Sequence, residues 1–349
     1  MKAWLGAAVL AVAAGGAAAQ SQWRVQAVPV IPPAVFVSMQ TNHWNAPRAT
    51  EFAAQAGEVQ RSLANHCVGG AAELARGAWR RTLAAWSRLS SVAVGPLVTR
   101  RSARRIDFQP VRPALIEQAL KAAGDGAPEM DRIGSAARGF AALEWLLWPQ
   151  SRLARGPDAA AACRLAQALA ADLLAEADAL AAGFTPLDAE ALDEAEVVER
   201  MGEVINQWVG GIDALRMQAI ERPLLEALAR RTSRPVLPRA LSGASAEDRA
   251  SRWAALRALL VFDGPVAPQP GTALVPVETV LRGRGLNPLA DRVVAGAKAV
   301  DRALAAARKN TPATLRAAGA ALASLRNLVE AEVAPVLEVR IGFSDADGD

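Results

Sequence analysis

The sequence predicts an all-α fold of two packed helical bundles, with few or no strands. Three observations predict it. Ala and Leu, the strongest helix formers, fill long stretches, while Tyr is absent and aromatic residues make up 5% of the 349 residues. Apolar residues recur at spacings of three and four, the period of helices, and convincing alternation is missing. Hydrophobic residues reach 52% and charged residues 21%, a balance that excludes a disordered chain and supports a sizeable core. At roughly 150 residues per domain, the length suggests two domains.

The elements follow in order. Residues 1–19 read as a cleavable secretory signal. Lys2 supplies the positive start, Trp4 to Ala14 the apolar stretch and Ala17-Ala18-Ala19 the cleavage site. The stretch is too short to span a bilayer comfortably. Export places the mature protein in the periplasm or cell envelope, and no transmembrane segment is expected after it. Residues 20–47 read as an irregular, Pro-containing arm, and residues 48–183 as an amino-terminal bundle. Its stripes are Phe52, Ala56, Val59, Leu63 and His66, then Trp79, Leu83, Trp86 and Leu89. Ile133, Ala137, Phe140, Glu144 and Leu147 form a further helix that Pro149 ends. Leu165, Leu169, Leu173 and Leu180 follow. Gly183 to Pro186 marks the boundary to a carboxy-terminal bundle over residues 184–349. There the stripes are Met201, Val204, Trp208, Ile212 and Leu215, then Trp253, Leu256 and Leu260, then Val293, Ala297, Val300 and Leu304. Thr311-Pro312 is an N-cap followed by Pro at the first helical position, and Leu315 to Val333 continues that helix.

The formal charge is +4, and the cations are almost all Arg. Arg100, Arg101, Arg104 and Arg105 come nearest to a basic stripe, without a nucleic-acid motif around them, so no nucleic-acid partner is expected. The chain has 2 cysteines, Cys67 and Cys163. An oxidising compartment allows one disulfide between them; two buried thiols on separate helices is the alternative. Two histidines, His43 and His66, and no C-x-x-C argue against a structural zinc site.

Glu144 is the leading candidate site residue. It lies on an apolar stripe beside Trp145, Leu146, Leu147 and Trp148, where an unpaired charge is costly. Its partner is an Arg, a metal ion or a proton; among arginines, Arg105 and Arg138 are the candidates. The loop Arg104-Arg105-Ile106-Asp107-Phe108 is the second candidate, since loops carry function more often than cores. Trp86 joins it, seven residues beyond Trp79 and so about two helical turns along the same stripe. At the carboxyl end, Phe343 offers an apolar anchor, and Asp345 and Asp347 an acidic cluster suited to pairing with Arg105. As a calcium loop the cluster lacks the remaining ligands.

The run Gly139-Phe140-Ala141-Ala142-Leu143-Glu144-Trp145-Leu146-Leu147-Trp148 resembles the imelysin-like family of exported bacterial proteins, whose hallmark is G-x-H-x-x-E followed by aromatics and leucines. Gly139 and Glu144 match; Ala141 stands at the histidine position. Trp79 to Pro96, Arg105 to Pro110, Leu241-Ser242-Gly243 to Leu259, and Ile341 to Asp349 resemble further family segments. The resemblance implies two helical bundles with a pocket between them, lined by the Glu144 segment. It also implies export, a link to iron acquisition and a place among metallopeptidases. A zinc hydrolase needs about three protein ligands and an open position, and Ala141 cannot ligate. The expected function is therefore a non-catalytic binding protein linked to uptake of iron or another divalent metal. The expected binding pocket comprises Glu144, Gly139, Arg105, Asp107, Trp86 and Arg138, with Glu144 the candidate metal ligand. Two alternatives stay open. One is an imelysin-type hydrolase with Glu144 as base and ligands such as Asp107 or His43. The other is an envelope scaffold that binds a protein partner.

Overall fold

In the computed structural model the chain is all-helical, with no strand among the described residues. The structure describes residues 22–124, 126, 128–148, 153 and 158–342. The signal over residues 1–19 and the carboxy-terminal Phe343, Asp345 and Asp347 lie outside them. The helices are α1 (Pro33–Gln40), α2 (Ala46–Cys67), α3 (Ala72–Ser90), α4 (Pro96–Thr99), α5 (Ser102–Ile106), α6 (Pro113–Ala122), α7 (Gly139–Leu147) and α8 (Ala159–Gly183). After the Gly183–Pro186 break come α9 (Glu194–Arg216), α10 (Arg222–Ala229), α11 (Ser245–Leu260), α12 (Val277–Gly283), α13 (Asn287–Ala307), α14 (Pro312–Leu328) and α15 (Ala334–Val336).

In the first half α2 packs against α3 and α8, and α7 lies on α3 and α8; in the second, α14 packs on α13 and α9. The apolar stripes face inward, with Phe52, Ala56, Val59 and Leu63 fully buried on α2 and Leu165, Leu169, Leu173 and Leu180 on α8. The halves are joined by α3 against α11 and by α1 against α9, and one continuous apolar core runs through both. A covalent tie fixes the far end of α2 to the start of α8: Cys67 and Cys163 form a disulfide with Cα atoms 5.8 Å apart.

Two expected elements differ. Within the arm expected over residues 20–47, the described residues 22–47 hold a short 3₁₀ turn, α1 and a wide turn rather than irregular chain throughout. Trp23 is buried, Arg24 pairs with the fully buried Glu278 at 2.6 Å, and α1 follows. Proline misleads here because a wide, π-helical turn absorbs it. Thr41–Asn45 links α1 to α2, and the Ala46 N–H reaches back five residues to the Thr41 carbonyl. Pro47 comes next. The same arrangement recurs at Met217–Glu221 before Pro223 and at Val329–Val333 before Pro335. A proline inside a helix lacks the N–H and crowds the carbonyl four residues back; a wider turn relieves that crowding without ending the helix.

The second difference concerns Ile133 to Leu147. Only Gly139–Leu147 is α-helix; short 3₁₀ turns at Met130–Arg132 and Ser135–Ala137 precede it. Gly139 has φ +62°, a left-handed conformation that cannot continue a right-handed helix and that favours glycine.

Candidate functional site

Trp86, Asp107, Gly139 and Glu144 converge where α3, the loop after α5, α7 and the Leu237–Ala244 turn before α11 meet. Gly139 sets the geometry. A Cβ there would stand 1.8 Å from the Ile106 carbonyl oxygen, so α7 starts directly on the backbone of α5. That contact brings Asp107 and Glu144 into one region. Gly139→Ala combines the clash with positive-φ strain, and is expected to destabilise by about 2–4 kcal/mol. Urea unfolding checks this; a wild-type midpoint would refute the contact's importance.

Glu144 is 1% exposed. Its Oε1 accepts the Ser242 backbone N–H at 2.9 Å and the Ser242 hydroxyl at 2.6 Å. The expected partners Arg105 and Arg138 are elsewhere. Arg105 donates to Asp172 at 2.7 Å and lies 3.5 Å from Glu176, both on α8. Arg138 donates to the Ile133 carbonyl at 2.6 Å. A carboxylate buried among apolar neighbours can thus be satisfied by a turn backbone and a hydroxyl, without a direct ion pair.

Asp107 is the second hub. Trp86 Nε1 donates to its Oδ2 at 2.9 Å, and Arg239 Nη2 donates to its Oδ1. Arg239 is 1% exposed and lies 6.0 Å from the Phe140 ring centre. Burial works against its charge, but the Asp107 and Asp248 charges, the Asp107 hydrogen bond and Glu144 outweigh that and hold it protonated more firmly than an ordinary arginine. Arg80 donates to the Ser242 carbonyl at 2.7 Å, and the Ser87 hydroxyl to Asp248 at 2.6 Å. The Asp107–Arg239, Arg80–Ser242, Ser87–Asp248 and Glu144–Ser242 links cross from the first half of the chain to the second. The cluster therefore fastens the two halves together through the turn that carries Arg239 and Ser242.

Burial alone would raise the Asp248 carboxyl, but Arg252, Arg239 and the Ser87 hydroxyl hold it below its ordinary range. A carboxyl lowered in the folded state stabilises fully above its unfolded value, near ~3.9. That stability is lost as pH falls through the folded value. Asp248→Asn is expected to be less stable than wild type at neutral pH, with the gap narrowing below about pH 4. Denaturant titrations at several pH values measure it, and a constant gap would count against the ionic role.

The residues do not fit a catalytic metal. Position 141 presents a buried methyl group. Glu144 and Asp107 already face Arg239, and two of its N–H groups, Nε and Nη1, are buried without a partner among the described residues, as is Gln109 Nε2. Those are donors, whereas a cation requires lone pairs. Asp172 Oδ2 is a buried carboxylate oxygen without a hydrogen-bond partner, but it sits on the residue that Arg105 and Arg138 approach. No group of three His, Cys, Asp or Glu side chains among the described residues is placed to share an ion. His43 is exposed, and His66 is buried with its Nδ1 2.8 Å from the Gly70 carbonyl. Two surface cavities, of about 410 and 350 Å³, open elsewhere, and neither is lined by Gly139 to Trp148.

Arg239, Ser242, Asp248 and Arg252 complete the site beyond the expected residues, while Asp172 and Glu176 hold Arg105 apart from it. Asp172 and Glu176 had a legible signal: they fall in register with the Leu165–Leu180 stripe of α8. Arg239 had none, being one of several arginines in a Pro-rich connection.

An all-helical protein in which a Gly-to-Glu helix and a Ser-Gly turn lock two halves together is the class these features define. The Imelysin family profile matches residues 45–338, and the chain belongs to that family. An imelysin-like protein from Psychrobacter arcticum 273-4 has a similar fold, with a TM-score of 0.72 at 18% identity over 91% of this chain and 100% of that one. A protein from Parabacteroides distasonis ATCC 8503, provisionally named an iron-regulated protein A precursor, gives a TM-score of 0.68 at 16% identity over 87% of this chain and 95% of that one. No curated protein sequence matches the chain. No helix among the described residues is long and apolar enough to cross a membrane.

Proposed function

We propose that this chain is an exported, non-catalytic binding protein of the periplasm or cell envelope, acting in uptake of iron or another metal. The observation that carries the reading is the state of Glu144. Its Oε1 takes two hydrogen bonds from Ser242, and Arg239 acts on it electrostatically. An imelysin-type zinc hydrolase needs about three protein ligands and an open coordination position. This cluster instead turns guanidinium N–H groups inward. The iron connection draws on the name of the Parabacteroides relative, and export on the apolar amino-terminal segment. A second reading, a scaffold that docks an envelope partner, is favoured by Leu225 and Leu228, three residues apart and both exposed on α10.

Two measurements test this reading: metal content of protein purified from its native compartment, and hydrolysis of insulin and casein with zinc or iron supplied. Cleavage no greater than that of Glu144→Gln is the expected result. Metal-dependent cleavage that disappears in Glu144→Gln would overturn the non-catalytic reading. Failure to retain any metal, alone or as a chelate, would overturn the link to metal uptake.

A further inference from the structure

The 350 Å³ cavity lies at the junction of the halves, apart from the Glu144 cluster. Its walls come from α1 and the wide turn after it, from the Val94–Thr99 segment, from the Gly183–Leu187 connection and from α9. That volume is at the small end of the range for small-molecule sites, roughly 300–1,000 Å³. Val37, Val94, Phe184 and Val204 give it an apolar floor, and Thr41 and Asn45 add polar groups.

Arg200 is the unusual wall residue. It is half-buried, and its Nε is buried without a hydrogen-bond partner among the described residues. A buried N–H left unmatched is uncommon and costly. The nearest acid in sequence on the same wall, Glu203, is engaged: its Oε1 accepts the Gly95 N–H at 2.7 Å, from a residue at φ +54°. Arg100, next to Thr99 of this wall, differs: it makes two bonds to Glu176, at 3.0 and 2.8 Å. A lining guanidinium whose Nε has no hydrogen-bond partner among the described residues, beside apolar wall residues, suits a carboxylate attached to a short apolar body.

We propose that this cavity binds a small organic carboxylate, its acid group paired with Arg200 and its apolar part lying against Phe184, Val37 and Val94. The proposal does not depend on the metal-uptake reading. The ligand would touch both halves and the connection between them.

Isothermal titration calorimetry with hexanoate tests it, with hexan-1-ol and hexylammonium as controls of equal body and different head. Saturable 1:1 binding of hexanoate is expected, with both controls at least about tenfold weaker, as loss of a charge-assisted pair implies. Arg200→Gln should weaken hexanoate binding at least about tenfold and leave the thermal midpoint unchanged. Arg200→Lys, which keeps the charge and loses the fork, should fall between. A chain ending at Gly342 is titrated alongside and should bind equally. No saturable binding by straight-chain carboxylates of four to eight carbons would overturn the proposal. So would equal binding by Arg200→Gln or by either control, or binding found only in the chain ending at Gly342, which would make the protein's own terminal acids the partner of Arg200.

Discussion

Replacing both Cys67 and Cys163 by serine is expected to lower the unfolding free energy by about 2–5 kcal/mol. The cysteines are separated by 96 residues, and the loop they close contains α3 to α7 and so Trp86, Asp107, Gly139 and Glu144. Cross-linking a loop of this length removes unfolded-state entropy worth roughly 4.7 kcal/mol in the simple chain model. Residual structure in the reduced, unfolded chain reduces the gain. The folded state needs no rearrangement to accept the bond, because α2 and α8 already pack together. Urea unfolding of the double serine variant, and of wild type under reducing conditions, should show the same loss. An unchanged midpoint in both would mean that α2 and α8 hold each other without the cross-link.

Much of the fold was legible because helical periodicity is a local property. Phe52 to Leu63 and Leu165 to Leu180 fall on buried faces as their spacing requires. What misled were residues whose effect depends on geometry several residues away. Pro47, Pro223 and Pro335 each follow a wide turn that lets the helix continue, so proline did not mark an end there. Gly139 lay within an unbroken apolar stripe, yet its positive φ divides that stripe into 3₁₀ turns and a short helix. Within the site, Glu144, Gly139, Asp107 and Trp86 come together, and their chemistry was visible in their types. The partner of Glu144 was not: Ser242 lies 98 residues on. The nearby arginines, Arg105 and Arg138, were drawn instead to the α8 carboxylates and the Ile133 carbonyl. Pairing across such a separation is set by tertiary topology, which no local pattern encodes.

Arg239→Met is expected to destabilise the protein by about 3–5 kcal/mol at neutral pH, the scale for removing one partner from a buried ionic cluster. Methionine keeps much of the stem that packs beside Phe140, so the loss comes chiefly from charge. The cation is 1% exposed and faces Asp107, Asp248 and Glu144. Without it, three buried acidic groups share a region in which Arg252 is the remaining cation close to Asp107 and Asp248. Asp248, which Arg239 helps to hold below its ordinary range, then loses part of what offsets its desolvation, and its proton affinity rises. A carboxyl raised in the folded state penalises folding once pH exceeds its unfolded value, and the penalty fades as it protonates. The gap between wild type and Arg239→Met should therefore be widest near neutrality and shrink toward about pH 4. Glu144→Gln should cost less, about 1–3 kcal/mol, since its amide oxygen can still accept a bond from Ser242. Combining it with Arg239→Met should cost less than the sum of the two single changes, because the double variant has one fewer unpaired buried acid. Denaturant titrations of the four proteins between pH 4 and 7 supply all these values. Additive losses with no dependence on pH would show that Arg239 acts through its packing on Phe140, and that the lock between the two halves is not electrostatic.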